Sequence, residues 1–245
     1  METLFISDLH LSPQRPGKIE LFRELLQGRA RFASALYILG DLFDHFWVGN
    51  DDLTPPNPEI ISELAAYANV NERLFIIRGN RDLMLDASFK DISGCTLLPD
   101  RHVITLDGTK VLLSHGDIFC SKDVEYQRYR RFMESGFTRF VFPRLPYALR
   151  IKLSHGLRPL IKKSSEKKAK NIVDVDQETL ERAMLEFEVQ HLIHGHTHRP
   201  GVHDFELNGR AARRTVLTDW YESDGILVCD NGEQKMMRIE EYLSH

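Results

Sequence analysis

Short apolar runs recur along the chain, and nearly every one stops at a polar cluster. Thr3 to Ser7 reads as a first strand and passes directly into Asp8-Leu9-His10. Leu36-Tyr37-Ile38-Leu39 is a continuous apolar run of the kind found in buried parallel strands, and Gly40-Asp41-Leu42-Phe43-Asp44 follows it. Leu74 to Ile77 is a third strand, ending in Arg78-Gly79-Asn80-Arg81-Asp82. His102 to Leu106, Asp107-Gly108 and Val111 to Ser114 have the pattern of a hairpin with an Asp-Gly turn, and they lead to His115-Gly116-Asp117. Leu192-Ile193 enters His194-Gly195-His196-Thr197-His198. Between these runs the spacing turns helical: Ile19, Phe22, Leu25 and Leu26, then about Glu59 to Ala68 after a loop rich in Asn, Asp and Pro, then Gln177 to Glu188. The tail alternates from Thr215 on and predicts antiparallel strands over Gly225 to Cys229 and Gln234 to Ile239.

Strands alternating with helices, then hairpins, predict an α/β protein of layered type. In such folds ligands gather beyond the carboxyl ends of strands, where each polar motif here lies, so the motifs are expected to converge. Asp41 is the first to examine. A carboxylate where a buried strand ends is costly unless positive charge sits on it.

From about residue 121 to 171 the pattern changes. Phe132, Met133, Phe137, Phe140 and Val141 recur at helical intervals, punctuated by Pro143, Pro146 and Pro159. Charge sharpens the contrast. Residues 128–170 hold 13 Lys or Arg against two acids, a net of +11, which leaves −15 for the rest of a chain whose total is −4. Solvated helix faces account for some of this. A basic, aromatic, helical stretch also suits an anionic lipid–water interface, or a pocket for acyl chains roofing a phosphate site. Nucleic acid is the rival partner. The other totals are consistent with a globular chain of 245 residues, 42% hydrophobic. Three scattered cysteines (Cys95, Cys120, Cys229) are no disulfide framework. The first residues lack a signal-peptide pattern, and no apolar run approaches the ~20 residues of a spanning helix. The expectation is a cytosolic protein, with peripheral membrane attachment left open.

The candidate ligands are Asp8, His10, Asp41, Asn80, His115, His196 and His198. Each singly has a plain structural explanation: a cap, a turn residue, a strand-end histidine, a surface loop. Together they are two carboxylates, four imidazoles and an amide, each just after an apolar run, with no cysteine among them. Oxygen and nitrogen donors suit Mn, Fe or Zn in five- or six-coordinate sites rather than a thiolate-built structural zinc. Seven donors exceed what one ion needs and suit two ions sharing a carboxylate. His45, His102, His155, His191, His203 and His245 are assigned no ligand role, and His194 a packing or ligand-supporting one.

In order and spacing, these five motifs resemble the calcineurin-like metallophosphoesterases. The resemblance implies a sandwich of two mixed β-sheets flanked by helices, with a core at 1–120 and 172–245 and a helical insertion cap at 121–171. It implies one metal on Asp8, His10, Asp41 and His198 and a second on Asp41, Asn80, His115 and His196, with Asp41 bridging and Mn as the working ion. Asp41, Asn80, Arg81 and His115 would be catalytic, Arg81 gripping a phosphate. A narrower resemblance, to the UDP-2,3-diacylglucosamine hydrolase family of lipid A biosynthesis, rests on Tyr37 to Phe43, on Cys120 with Asp123 and Tyr126-Gln127, and on His194 to Pro200. It implies hydrolysis of the substrate's pyrophosphate bond by water attack at the α-phosphorus, giving UMP and 2,3-diacylglucosamine 1-phosphate. It also implies a peripheral place on the cytoplasmic face of the inner membrane and no nucleic-acid partner. Asn80, Arg81, Asp123, Lys168 and His196 match its substrate-contact positions. Lys167 is as close a candidate as Lys168, and Ile161 and Ser165 depart from the family's Ser and Asn. The rival readings are a phosphoesterase acting on another diester, such as a cyclic nucleotide or other nucleotide-sugar, and a non-catalytic scaffold of the same fold.

Overall fold

The computed structural model describes residues 2–71, 73–154, 174–221 and 223–244. Four parallel strands form one side of the first sheet, out to its edge: β1 (Thr3–Ile6), β2 (Ala35–Leu39), β3 (Leu74–Ile77) and β4 (Thr96–Leu98). The second sheet begins with β5 (His102–Leu106), β6 (Thr109–Leu113) and β7 (His191–His194), and ends with the hairpin β8 (Gly201–Leu207) and β9 (Arg210–Val216). Two further strands return to the first sheet, β10 (Gly225–Asp230) antiparallel to β1 and β11 (Glu233–Arg238) antiparallel to β10. The orders are β11-β10-β1-β2-β3-β4 and β5-β6-β7-β9-β8. β6, β7 and β9 are mutually parallel.

The two-residue period of the strands decides the layers. Leu4, Ile6, Leu36, Ile38, Leu74 and Ile76 face α1 (Pro16–Gln27), α2 (Asn57–Val70) and α3 (Ala87–Ser93), which bury Phe22, Leu25, Leu26, Ile60, Leu64 and Phe89 against them. The alternate positions Phe5, Tyr37, Leu39 and Ile77 pack on Val111, Leu113 and Ile193 of the second sheet. That sheet's far face, Leu112 and Leu192, is covered by Leu180, Ala183 and Met184 of a later helix over Gln177–Glu186. The result is helix, sheet, sheet, helix, as expected. With both faces covered, β2 needs its unbroken apolar run.

The helix α3, strand β4, the hairpin β8–β9 and a terminal helix over Ile239–Ser244 were not expected. The hairpin had a legible signal. Asn208-Gly209 adopts positive φ at both residues (50° and 75°), as do Asp107-Gly108 and Asn231-Gly232, the conformation of the two-residue turn that matches strand twist. It escapes notice because β8 is an edge strand whose exposed residues carry little apolar pattern.

Between β6 and that later helix lie α4 (Val124–Glu134), α5 (Gly136–Val141) and α6, helical over residues 147–154; the later helix is α7 and the terminal one α8. Not all of the basic charge here faces solvent. Arg130 is 3% exposed and meets Asp117, Asp100 (2.6 Å) and Glu134 (3.1 Å). Arg150 is buried too, donating to the Val48 carbonyl and pairing with Asp51, while Tyr147 donates to Asp52 at 2.9 Å. These contacts fasten α4 and α6 to the acidic sandwich. Phe132, Phe137 and Phe140 remain exposed.

Candidate metal centre

Five loops bring the expected donors together at the carboxyl ends of β1, β2, β3, β6 and β7. Their backbones are bent to do so. Asp8, His10, Asp41, His196 and His198 all have φ between 47° and 70°, a region non-glycine residues seldom adopt. Strain of this kind persists where surrounding contacts over-determine it. Here Asp8 N–H donates to the Gly40 carbonyl (3.0 Å), and His10 N–H to that of Asp41 (2.9 Å). Asp82 ties the second and third loops, accepting from Leu42 N–H (2.9 Å) and Gly79 N–H (2.5 Å). Close approach requires glycine at two points. A Cβ on Gly79 would collide with the Asp41 carboxylate, and one on Gly195 with Ser7 and Asp8.

Asp41 stands between two groups, and each of its oxygens faces one. Its Oδ2 is 3.6 Å from His10 Nε2, and its Oδ1 is 3.7 Å from His115 Nε2 and accepts from Arg81 N–H at 2.8 Å. On the first side, His198 Nε2 is 3.5 Å from Asp8 Oδ1. On the second, Asn80 Oδ1, His115 Nε2 and His196 Nδ1 lie 3.0–3.2 Å from one another. His115 Nδ1 meets the Leu39 carbonyl at 2.8 Å; donating there leaves the Nε2 lone pair facing the group. The cleft holds about 440 Å³ and is lined by His10, Asp41, Asn80, Arg81, His196, His198, Asp219 and Tyr221.

The electrostatics call for a cation. Burial drives the Asp41 carboxyl up to about 7; the His115 charge opposes this, and the Asp82 and Asp8 carboxylates reinforce it. Burial would raise Asp8 too, but His198 close beside it and the charges of His115 and His10 hold it well below the usual range. Burial opposes protonation of His115, yet Asp41, Asp8 and Asp117 bring it up to about 9. His10 falls to about 3 and His196 to about 4, in each case chiefly by burial. Clustered buried carboxylates beside neutral imidazoles are what a divalent ion satisfies. Asp8 Oδ1 and both ring nitrogens of His10 are buried without a hydrogen-bond partner among the described residues. Asp8, His10 and His198, and again Asp8, Asp41 and His115, offer donor atoms within 4.8 Å of one another. The residues present therefore fit a divalent metal.

A family model for calcineurin-like phosphoesterases matches residues 1–200. The chain is a calcineurin-like phosphoesterase. Among its relatives are proteins named UDP-2,3-diacylglucosamine hydrolase. One from Aeromonas hydrophila is 42% identical over 236 residues, covering 96% of this chain and 98% of that protein. One from Pseudomonas savastanoi is 44% identical over 227 residues, covering 93% and 91%. Among solved structures, Yfce, a phosphoesterase from E. coli, superposes with a TM-score of 0.51 at 16% identity, over 98% of this chain and 94% of that one, a likeness of fold.

The phosphoesterase keeps the other expected residues in varied places. Arg81 lines the cleft with its guanidinium 5.8 Å from the Phe46 ring, and its Nε is buried without a partner among the described residues. Asp123 caps α4, accepting from Tyr126 N–H at 3.0 Å, and does not line the cleft. Tyr126 and Gln127 both bind Asp117, the first through its carboxylate and the second through its carbonyl. Lys168, with Ile161, Ser165 and Lys167, lies outside the described residues. His194 is fully buried, its Nδ1 against the Gly195 carbonyl (2.8 Å), and does not line the cleft. Asp219 and Tyr221, which follow β9, were missed. Asp219 Oδ2 is 3.5 Å from His198 Nδ1 and orients that ring. The signal available was their position after a strand parallel to β7, readable only once β9 itself is recognised.

Proposed function

We propose that this chain hydrolyses the pyrophosphate bond of UDP-2,3-diacylglucosamine, releasing UMP and 2,3-diacylglucosamine 1-phosphate, with Mn2+ at two sites. The observation that carries the reading is the placement of Asp41, one oxygen toward the His10 side and the other toward Asn80, His115 and His196. Asp8, His10, Asp41 and His198 would hold one ion, and Asp41, Asn80, His115 and His196 the other. Bound there, two cations would acidify the attacking water and offset charge on the phosphoryl oxygens. The chain's own residues do the rest. The His115 ring is fixed by Leu39, Asn80 by the Asp82-braced loop, and Arg81 offers an unpaired buried donor to a phosphate oxygen.

The names of the relatives support the acylated nucleotide as substrate. So does an apolar seam between sandwich and insertion, where Phe46, Trp47, Leu83, Met84, Met133 and Phe142 meet Arg81. Its volume is only about 10 Å³, so admitting an acyl chain requires α4 and the turn at Phe142 to part from the loop at residues 46–48. We read residues 121–171 as a cap, of which 155–171 lie outside the described residues and the described part borders that seam. Exposed Phe132, Phe137 and Phe140 among Arg128, Arg131 and Arg144 favour a peripheral seat on an anionic membrane. No helix among the described residues is long and apolar enough to cross one.

The test is an assay with Mn2+ and the acylated nucleotide, monitored for UMP, beside a panel of cyclic nucleotides and soluble nucleotide-sugars. Release of UMP from the acylated substrate is expected to dominate. Preference for a soluble diester would replace this reading with its rival, and protein that binds no metal and turns over nothing would leave only the scaffold.

A further inference from the structure

One wall of the cleft, Tyr221, is not used by the metal donors, and Arg15 and Asp44 hold it from behind. The Arg15 guanidinium carbon lies 3.6 Å from the centre of the Tyr221 ring. Tyr221 Oη donates to Asp44 Oδ1 at 2.9 Å, and Arg15 Nη2 stands 3.9 Å from the same oxygen. The Tyr221 ring is 4.9 Å from His10 and 5.8 Å from His198, centre to centre, and the residue is 44% exposed. Arg15 Nη1 is buried and has no hydrogen-bond partner among the described residues. An unmet buried donor is costly, and an acceptor brought by a ligand would relieve it.

We propose that Arg15 and Tyr221, braced by Asp44, form the subsite for the nucleoside of the substrate. The inference rests on the hydrolase reading above. Arg81 borders both the metal cleft and the apolar seam, so the acylated half is assigned to that side. Cleavage between two phosphorus atoms divides the substrate into an acylated half and a nucleotide half. With the acylated half beside Asn80 and Arg81, the nucleotide half extends over His10 and His198, where Tyr221 stands. A pyrimidine is flat and carries carbonyl acceptors. With the guanidinium on one face of the Tyr221 ring, the other face gives the base a surface to lie on, and the Arg15 charge behind the ring favours its electron-rich carbonyl oxygens. Asp44, which sits in the Asp41 motif without a donor atom in either metal group, has its place here: it holds Tyr221 upright through the hydroxyl.

The experiment uses the full chain loaded with Mn2+ and takes UMP as the probe, its binding measured by titration calorimetry. R15Q and Y221A are each expected to weaken UMP at least tenfold. They should raise KM for the acylated nucleotide more than they lower kcat, and lose at least tenfold more activity on it than on bis(p-nitrophenyl) phosphate, which has no nucleoside. Y221F, which keeps the ring, should retain more UMP affinity than Y221A. UMP binding within twofold of wild type in both R15Q and Y221A overturns the proposal, as does an equal loss on both substrates. Hydrolysis of the acylated nucleotide with Arg15-independent UMP binding sinks this inference alone. Arg15-dependent UMP binding without such hydrolysis sinks the hydrolase reading alone.

Discussion

At the amino end of β7, His191 is buried with both ring nitrogens partnered, Nε2 by Thr215 Oγ1 at 3.0 Å and Nδ1 by Gln234 Nε2 at 3.4 Å. Beyond the carboxyl end of the same strand, His196 meets Asn80 and His115 at 3.0–3.2 Å, and His10 across the cleft has no partner at either nitrogen among the described residues. The backbones differ as well: φ is positive at His10, His196 and His198, while His191 lies in regular strand. The same residue type thus serves packing at one end of the sandwich and stands among clustered carboxylates at the other. Burial does not separate the two cases, since all but His198 are largely enclosed. What separates them is whether the donors are satisfied locally, and whether the chain tolerates strain to point them at one another.

The largest expected effect comes from removing the carboxylate between the two donor groups. Asp41→Asn should lower turnover about a thousandfold, roughly 4 kcal/mol in the barrier. It should also make the metal-free protein more stable than metal-free wild type, because it relieves crowding with Asp8 and Asp82. Steady-state kinetics and melting after chelation read the two effects; a less stable metal-free variant would mean that Asp41 is structural like His191. Next comes a charge that is paired. Arg130→Met leaves the buried Asp117 uncompensated, and the expected loss is about 3 kcal/mol in a urea midpoint analysis. A neutral outcome would place α4 among the weakly held elements.

The smallest effect belongs to His191→Gln, about 1 kcal/mol at pH 7 with activity unchanged. Its sign should invert in acid. Burial, reinforced by Arg213, holds the His191 imidazole down at about 4 against an ordinary 6.5. A histidine kept neutral in the fold binds its proton more readily when unfolded, so wild-type stability falls as pH drops from about 6.5 toward 4. At pH 5 that amounts to about 2 kcal/mol, enough for His191→Gln to equal or exceed wild type. Unfolding titrations at pH 7 and 5 check the crossover, and parallel curves would show that His191 does not titrate with unfolding.

Much of the donor cluster was readable in the chain because each polar motif is local: a strand ends, and a donor follows within two to four residues. Leu36 to Leu39 announces a buried strand, and Asp41 follows it at fixed distance. The legible features stop where local pattern stops. Arg130 and Arg128 look alike in a count of charges, yet one is buried on Asp117 and the other faces solvent. Asp82 belongs to a recognised motif, but its work on Leu42 and Gly79 joins residues 40 apart in sequence for one of the two contacts. Asp219 and Tyr221 fall in no motif and reach the cleft only because β9 lies beside β7, and Arg15 reaches the Tyr221 ring only because α1 begins beside Asp44.

By itself, then, the sequence determined the strands that lead into the polar clusters, that the clusters end them, and that their donors are oxygen and nitrogen, while β4, β8 and β9 went unread. These follow from short-range periodicity and side-chain chemistry, which survive without knowledge of neighbours. Only the tertiary structure decided that the two oxygens of Asp41 face different groups, which histidines are left unsatisfied, and which arginines are fastened to the sandwich. Those outcomes depend on strand order and on the meeting of two sheets, where long-range packing sets every distance.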